Sequence, residues 1–151
     1  MGIDMTQARV PGLLRRLAAI LYDSVLLLGL LMLAVALLVI PYEQLVGAPF
    51  PHEEPLHRLA LQAYLVLVVG AFFAFFWVRG GQTLGMRSWR LRVLRDDGEP
   101  LRWRHAWRRF GAAFLSLAPL GLGLLWCLLD RDGLAWHDRL SRTRLVLVAK
   151  R

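Results

Sequence analysis

Cysteine and lysine are nearly absent from this sequence, and groups suited to catalysis are sparse. The one cysteine, Cys127, stands in an apolar run, which excludes an intramolecular disulfide and predicts a thiol that packs as a small hydrophobic group. No carboxylates show a paired spacing, no serine stands in a nucleophile elbow, and the turn at residues 130–133 lacks the later ligands of a calcium loop. We therefore predict no enzymatic activity, no cofactor and no metal site.

Acidic residues are also few, at 11 against 19 basic residues, which gives a formal net charge of +8. All the basic residues except Lys150 are arginine. Such an excess can indicate nucleic-acid binding, but no aromatic platform or nucleic-acid motif accompanies it here. We expect no nucleic-acid partner, and instead contacts with anionic lipid headgroups through the arginine-rich residues 79–109.

Long apolar runs raise the hydrophobic fraction to 57% and the mean hydropathy to +0.47. Residues 17–40 and 59–78 are each long enough to cross a hydrocarbon core of about 30 Å as a helix. Pro41 is predicted to end the first helix. The sequence therefore predicts a mainly α membrane protein, one domain over residues 1–151, with two transmembrane helices.

The distribution of arginine predicts the orientation of these helices. The loop at residues 42–57 contains no arginine or lysine, whereas the N-terminus, residues 79–109 and the tail after residue 130 are rich in them. The positive-inside rule then predicts a cytoplasmic N-terminus, with residues 79–109 and the tail on the same side.

A third apolar segment, residues 101–129, begins as an amphipathic helix and is interrupted by Pro119. Its aromatic stripe lies opposite a polar face that is predicted to carry Arg102, Arg108 and Arg109. Two arrangements are open. The segment re-enters as a hairpin bent at Pro119, with both ends cytoplasmic, or it crosses the membrane once and leaves the tail outside against the charge rule.

Two short strands are predicted on the cytoplasmic side. Residues 88–95 alternate with a period of two, placing Trp89, Leu91 and Val93 on one face, and residues 143–150 read as a second strand able to pair with residues 88–94. The glycine-rich residues 80–87, which include Gln82 and Thr83, are expected to cap the second helix and turn the chain.

Asp23 is the most informative polar residue, because a carboxylate within a lipid-spanning helix costs on the order of 3 kcal/mol. Arg16 lies two helical turns earlier on the same face, and Asp138 follows the third apolar segment. Three interpretations are open: an Arg16–Asp138 clamp that pins the tail while Asp23 pairs locally, a protonatable Asp23 in an ion path, or a partner-facing role. His137 is a candidate supporting residue, more often structural than titrating in such a position.

Three sequence stretches together resemble the RDD family of small membrane proteins. These are RRLAAILYDSVLL, GQTLGMRSWRLRVLRDDGEPLRWRHAWRR and GLAWHDRLSRT. The resemblance implies that Arg16, Asp23 and Asp138 are the arginine and two aspartates of the family name, with Thr143 in the closing motif. The chain departs from the pattern at Ser141 and Arg142, where members commonly have a small residue and glycine. The family is largely of unknown function, and sodium/proton antiport by some members implies that possibility here.

The sequence thus predicts a multi-pass protein of the bacterial cytoplasmic membrane, acting as an accessory or assembly component. Its functional polar cluster would be a buried lock of Arg16, Asp23 and Asp138, with His137, Thr143, Gln82 and Thr83 in support. The alternative is a cation/proton antiporter subunit using Asp23. A homo-oligomer or a larger membrane complex is the expected assembly, because so short a chain encloses no transport path alone.

Overall fold

The computed structural model describes residues 9–148, and the chain over this range is mainly helical. In chain order the elements are α1 (Leu13–Val46), α2 (Pro55–Gly80), α3 (Leu84–Ser88), β1 (Leu91–Arg95), α4 (Trp103–Leu117), α5 (Leu122–Leu125), a 3-10 turn (Trp126–Leu128), α6 (Trp136–Ser141) and β2 (Thr143–Leu147). Contacts divide the chain into two units: the segment up to Asp23 together with the chain from Phe73 onward, and Ser24–Phe72.

Helices α1 and α2 are both long and apolar enough to cross a membrane. Helix α1 has 34 residues, a length of about 51 Å at 1.5 Å per residue, so it exceeds a hydrocarbon core of about 30 Å. The prediction that Pro41 ends this helix is wrong. Proline removes one backbone hydrogen bond, yet α1 continues to Val46, and Gly47 closes it with φ +72° and an N–H bonded to Glu43 O at 2.9 Å.

The unit Ser24–Phe72 contains most of both long helices and the connection between them. Within it, the Tyr64 hydroxyl donates to the carbonyl of Ala34 at 3.3 Å. Large apolar side chains such as Leu28 and Leu37 are exposed along α1. Exposed leucines on so apolar a helix are suited to acyl chains rather than to water.

The predicted pairing of two short strands is confirmed. Strands β1 and β2 are antiparallel, with Leu91 opposite Leu147, Val93 opposite Leu145 and Arg95 opposite Thr143. Trp89 lies outside the strand, because α3 occupies the residues up to Ser88 and the chain then turns through Arg90 at φ 57°. A tight turn and a one-turn helix thus replace the first part of the predicted strand.

The third apolar segment bends at Pro119, as predicted. Helix α4 and the segment Leu122–Leu128 meet at 105°, and Leu120 and Gly121 take positive φ values of 54° and 79° between them. A Cβ on Gly123 would lie 2.6 Å from the Cα of Ser116, so only glycine permits α5 to fold back this closely onto α4. The bend is compatible with both a re-entrant loop and a broken span.

The unit that joins the start of α1 to the chain from Phe73 onward has its core around the two strands. Leu91 and Val93 of β1 are fully buried, as are Ala74 of α2 and Ala106 of α4. Ala19, Trp77, Met86, Leu101 and Leu145 complete this cluster. The small sheet therefore packs α1, α2 and α4 together near the arginine-rich part of the chain.

Candidate functional site

Asp138 lies at the centre of a buried group of charges, here called the Asp138 cluster (Arg16, Arg109, Asp138 and Thr143). It occupies the first turn of α6, and its Oδ2 accepts the backbone N–H of Ala135 at 3.0 Å. A carboxylate in the first turn satisfies a backbone N–H that the helix leaves unpaired. Asp138 is 0% exposed, so its charge must be compensated within the protein.

Arg16 supplies the first of these partners from the first turn of α1. Its Nη1 donates to Asp138 Oδ2 at 2.9 Å, and its Nη2 donates to the carbonyl oxygen of Gly133 at 2.8 Å. The side chain of Arg16 is only 2% exposed. The start of the first membrane helix is therefore bound to the segment that leads into α6.

Arg109 of α4 supplies the second partner, which the sequence did not reveal. Its Nη1 lies 2.6 Å from Asp138 Oδ1, as an ion pair without hydrogen-bond alignment, and donates to Thr143 Oγ1 at 2.5 Å. The Cζ of Arg109 also lies 5.3 Å from the centroid of the Trp77 ring, within the range of a cation–π contact. The cluster thus joins α1, α4, α6 and β2.

The side chain of Arg109 faces inward, contrary to its predicted place beside Arg108 on the polar face of the amphipathic helix. The buried residues of α4 are His105, Ala106, Arg109, Ala112 and Ser116, which fall at helical spacing. This stripe of small and polar residues was present in the sequence. The prediction placed Arg109 outward because the larger aromatic stripe beside these residues was taken as the buried face.

Hydroxyl groups extend the Asp138 cluster into α6. Thr143 Oγ1, having accepted from Arg109, lies 2.7 Å from Ser141 Oγ, which in turn donates to the carbonyl of His137 at 2.5 Å. Each hydroxyl can therefore donate once and accept once. Thr143, a predicted supporting residue, therefore links Arg109 to α6 through this series of hydrogen bonds.

The electrostatics of the cluster follow from its two guanidinium groups. Burial alone would raise the pKa of Asp138, but Arg109 and Arg16 outweigh it and hold that pKa well below the usual range. Burial, together with the nearby Arg109 cation, lowers the pKa of His137 to about 4. His137 is therefore neutral at pH 7 and bonds through Nδ1 to the Ser116 hydroxyl at 3.1 Å.

Arg142, at the end of α6, stands where the family motif commonly has glycine. It takes φ 53° and ψ 48°, the left-handed conformation that glycine adopts without strain. An arginine there costs on the order of 1 kcal/mol. The turn into β2 therefore keeps its geometry, with some strain, and Thr143 still reaches the cluster.

Asp23 belongs to a second buried group, here called the Asp23 cluster (Asp23, Thr83 and Gly85). Its Oδ2 accepts the Thr83 hydroxyl in a short hydrogen bond, and its Oδ1 accepts the backbone N–H of Gly85 at 2.9 Å. Thr83 also caps α3 by accepting the N–H of Met86 at 3.1 Å. A Cβ on Gly85 would lie 2.4 Å from the carbonyl oxygen of Ala19, so the glycine lets α3 approach α1.

The predicted set of Arg16, Asp23 and Asp138 is thus divided between two places. Within residues 9–148, the hydrogen bonds of Asp23 come from Thr83 and Gly85 and not from Arg16. Gln82 lies beside this second cluster, but its Nε2 donates to Leu91 O at 2.6 Å and fixes the start of β1.

The contacts within these clusters are hydrogen bonds and ion pairs. Among the described residues, no group of three or more histidine, cysteine or carboxylate side chains could hold a metal ion. His137 and Asp138 both point into packed protein rather than into an open cleft. The arrangement is suited to holding elements together.

Two long apolar helices, a bent third segment and a two-stranded sheet held by buried charges define a small helical membrane protein. Residues 10–142 match the model of the RDD family, and the chain belongs to this family. No curated protein matches the chain. No solved structure matches it either.

Proposed function

We propose that the protein is a non-enzymatic accessory or assembly component of a membrane, in which the Asp138 cluster acts as a structural lock. The supporting observation is that one fully buried carboxylate pairs with two buried arginines from two different helices. Removing the carboxylate from such a group leaves two buried cations unpaired, which is strongly destabilising. The lock would hold a defined surface of the protein for a partner, either further copies of the chain or a larger membrane complex.

The proposed setting is the bacterial cytoplasmic membrane, with the N-terminus in the cytoplasm. Support comes from charge: residues 79–109 contain nine arginines, and the loop at residues 42–57 contains no arginine or lysine. In this orientation the arginine-rich residues contact anionic headgroups of the inner leaflet. Reporter fusions at residue 9 and in the loop test it, and a reporter active outside the cell at residue 9 would contradict it.

The experiment for the proposed function compares wild type with Asp138→Asn in two measurements. The first is the amount of folded protein in the membrane, which we expect to fall in the variant. The second is proton flux in vesicles under a sodium or potassium gradient, which we expect to equal that of empty vesicles for both. A cation-dependent flux in wild type would overturn the accessory role.

A second candidate, a cation/proton antiporter subunit, is favoured by one feature of Asp23. Within the described chain, this buried carboxylate of α1 accepts hydrogen bonds from neutral groups and takes part in no ion pair. A carboxylate free of a fixed cation is suited to exchanging a proton or a cation. Asp23→Asn would abolish a measured flux if this candidate holds, and a flux that survives the change would end it.

A further inference from the structure

Four arginines converge on a cavity of about 790 Å³ at the end of α2. They come from three places in the chain: Arg79 ends α2, Arg87 lies in α3, and Arg90 and Arg92 lie at the start of β1. Of the residues that the structure describes, no acidic one lines this cavity. Apolar side chains also line it, namely Phe75, Phe76, Leu84 and Val148.

Within residues 9–148, these arginines have no counter-charge. Across residues 9–148, the ion pairs of arginine involve Arg16, Arg95, Arg109, Arg139 and Arg144, and none of the four cavity arginines. Arg92 donates to the carbonyl of Gly80 at 3.2 Å, and Arg79 lies over the Phe75 ring at 5.3 Å. Like charges gathered around one cavity repel each other, and a bound anion removes that repulsion.

The backbone holds these side chains in place at a cost. Arg90 takes φ 57°, a conformation that a non-glycine residue adopts only where the surroundings impose it. Its carbonyl is tied to Val148 N at 2.9 Å, and its N–H to Arg87 O at 3.1 Å. The turn that aims Arg87 and Arg90 at the cavity is therefore fixed on both sides.

We propose that this cavity binds one anionic phospholipid, with the phosphate on the arginines and the start of an acyl chain against Phe75, Phe76 and Leu84. Guanidinium groups match the geometry of phosphate oxygens and bind them with paired hydrogen bonds. Phe75 and Phe76 lie at the end of α2, a helix long enough to span the membrane, so headgroup and acyl chain meet their matching surfaces together. The inference deepens the proposed lipid contact of residues 79–109, on which it rests, by assigning one site.

The sequence offers a matched control for this site. Arg102, Arg104 and Arg108 lie in the same arginine-rich stretch, are exposed, and do not line the cavity. Replacing Arg79, Arg87 and Arg90 by glutamine removes three charges from the cavity, and replacing the control three removes three charges from the surface. Arg92 is left unchanged because it bonds Gly80.

Native mass spectrometry of the full chain in neutral detergent tests the proposal, with dihexanoyl phosphatidylglycerol as the probe. We expect one bound lipid per wild-type chain, affinity reduced about tenfold or more in the cavity variant, and less than about twofold change in the control variant. Dihexanoyl phosphatidylcholine and glycerol phosphate, added separately, should each bind at least about tenfold more weakly than the anionic lipid.

Three results would overturn the proposal. An equal loss of lipid affinity in both triple variants would mean that the lipid contacts the arginine-rich surface in general and not this cavity. Equal binding of the choline lipid would remove the role of charge. Equal binding of glycerol phosphate would mean a soluble phosphate ligand instead of a lipid. Thermal unfolding of both variants, expected to match wild type, separates loss of binding from loss of fold.

Discussion

Replacing Asp138 by asparagine tests the central physical claim about this protein. The change keeps the size of the side chain and an oxygen that can accept the Ala135 N–H, so the start of α6 should be preserved. It removes the one negative charge shared by Arg16 and Arg109, whose side chains are 2% and 5% exposed. The perturbation is therefore almost purely electrostatic.

The magnitude follows from the burial of the cations. Removing one partner of a buried ion pair typically costs about 3–5 kcal/mol, because the remaining charge is left without compensation. Here two guanidinium groups lose their partner at once, so we expect a loss of at least about 3 kcal/mol in the free energy of unfolding. Asp97→Asn is the matched control. Asp97 pairs with Arg95 at the surface with half its side chain exposed, and its loss should cost less than about 1 kcal/mol.

The assay is denaturant unfolding in mixed micelles, followed by tryptophan fluorescence. Trp77, one of the six tryptophans, lies against Arg109, so part of the signal comes from beside the cluster. A second variant, Asp138→Asn with Arg109→Gln, should recover part of the loss, since it removes one of the unpaired cations. If Asp138→Asn unfolds within about 1 kcal/mol of wild type, the cluster is not a structural lock.

Two other changes give independent checks. Gly85→Ala places a Cβ 2.4 Å from Ala19 O and should lower the free energy of unfolding by about 1–3 kcal/mol. The control is Gly111→Ala, which should not destabilise the protein because nothing lies within 4 Å of the added Cβ. Equal effects of the two changes would refute the close approach of α3 to α1. The pKa of His137 is about 4 in the folded protein against 6.5 unfolded, so stability is full above pH 6.5 and falls by roughly 3 kcal/mol toward pH 4. His137→Gln should flatten this slope in unfolding measured at pH 7.5 and 4.5, although Arg16, Arg109 and Asp138 remain nearby, and an unchanged slope would assign it to other groups.

The spanning helices were predictable because a helix must contain about 20 apolar residues to cross the hydrocarbon core, and such runs are visible in the sequence. Their bounds were less so. Helix α1 begins at Leu13 and ends at Val46, beyond the predicted residues 17–40, since apolarity marks the part in contact with lipid and not where backbone hydrogen bonding stops. Pro41 costs the helix one hydrogen bond, which does not end it because residues 42–46 continue the helical backbone.

The polar sites were less predictable because their partners are distant in sequence. Asp23 was expected to need a polar neighbour, and Thr83, already a predicted supporting residue, provides it together with the N–H of Gly85. Gly85 lies in α3, a five-residue helix too short to show a periodic pattern. Arg109 looked like one more solvated charge beside Arg108. Only its pairing with Asp138, on a later element, turns it inward.

Arg16 and Asp138 are separated by 122 residues, and this spacing sets the order in which the cluster can form. Arg16 enters the membrane region early in synthesis, when its counter-ion does not yet exist. Until Asp138 and β2 leave the ribosome, the first helix carries an uncompensated cation at its mouth and the edge of β1 has no neighbour. A chain that stops short of α6 therefore leaves Arg16 without its carboxylate partner.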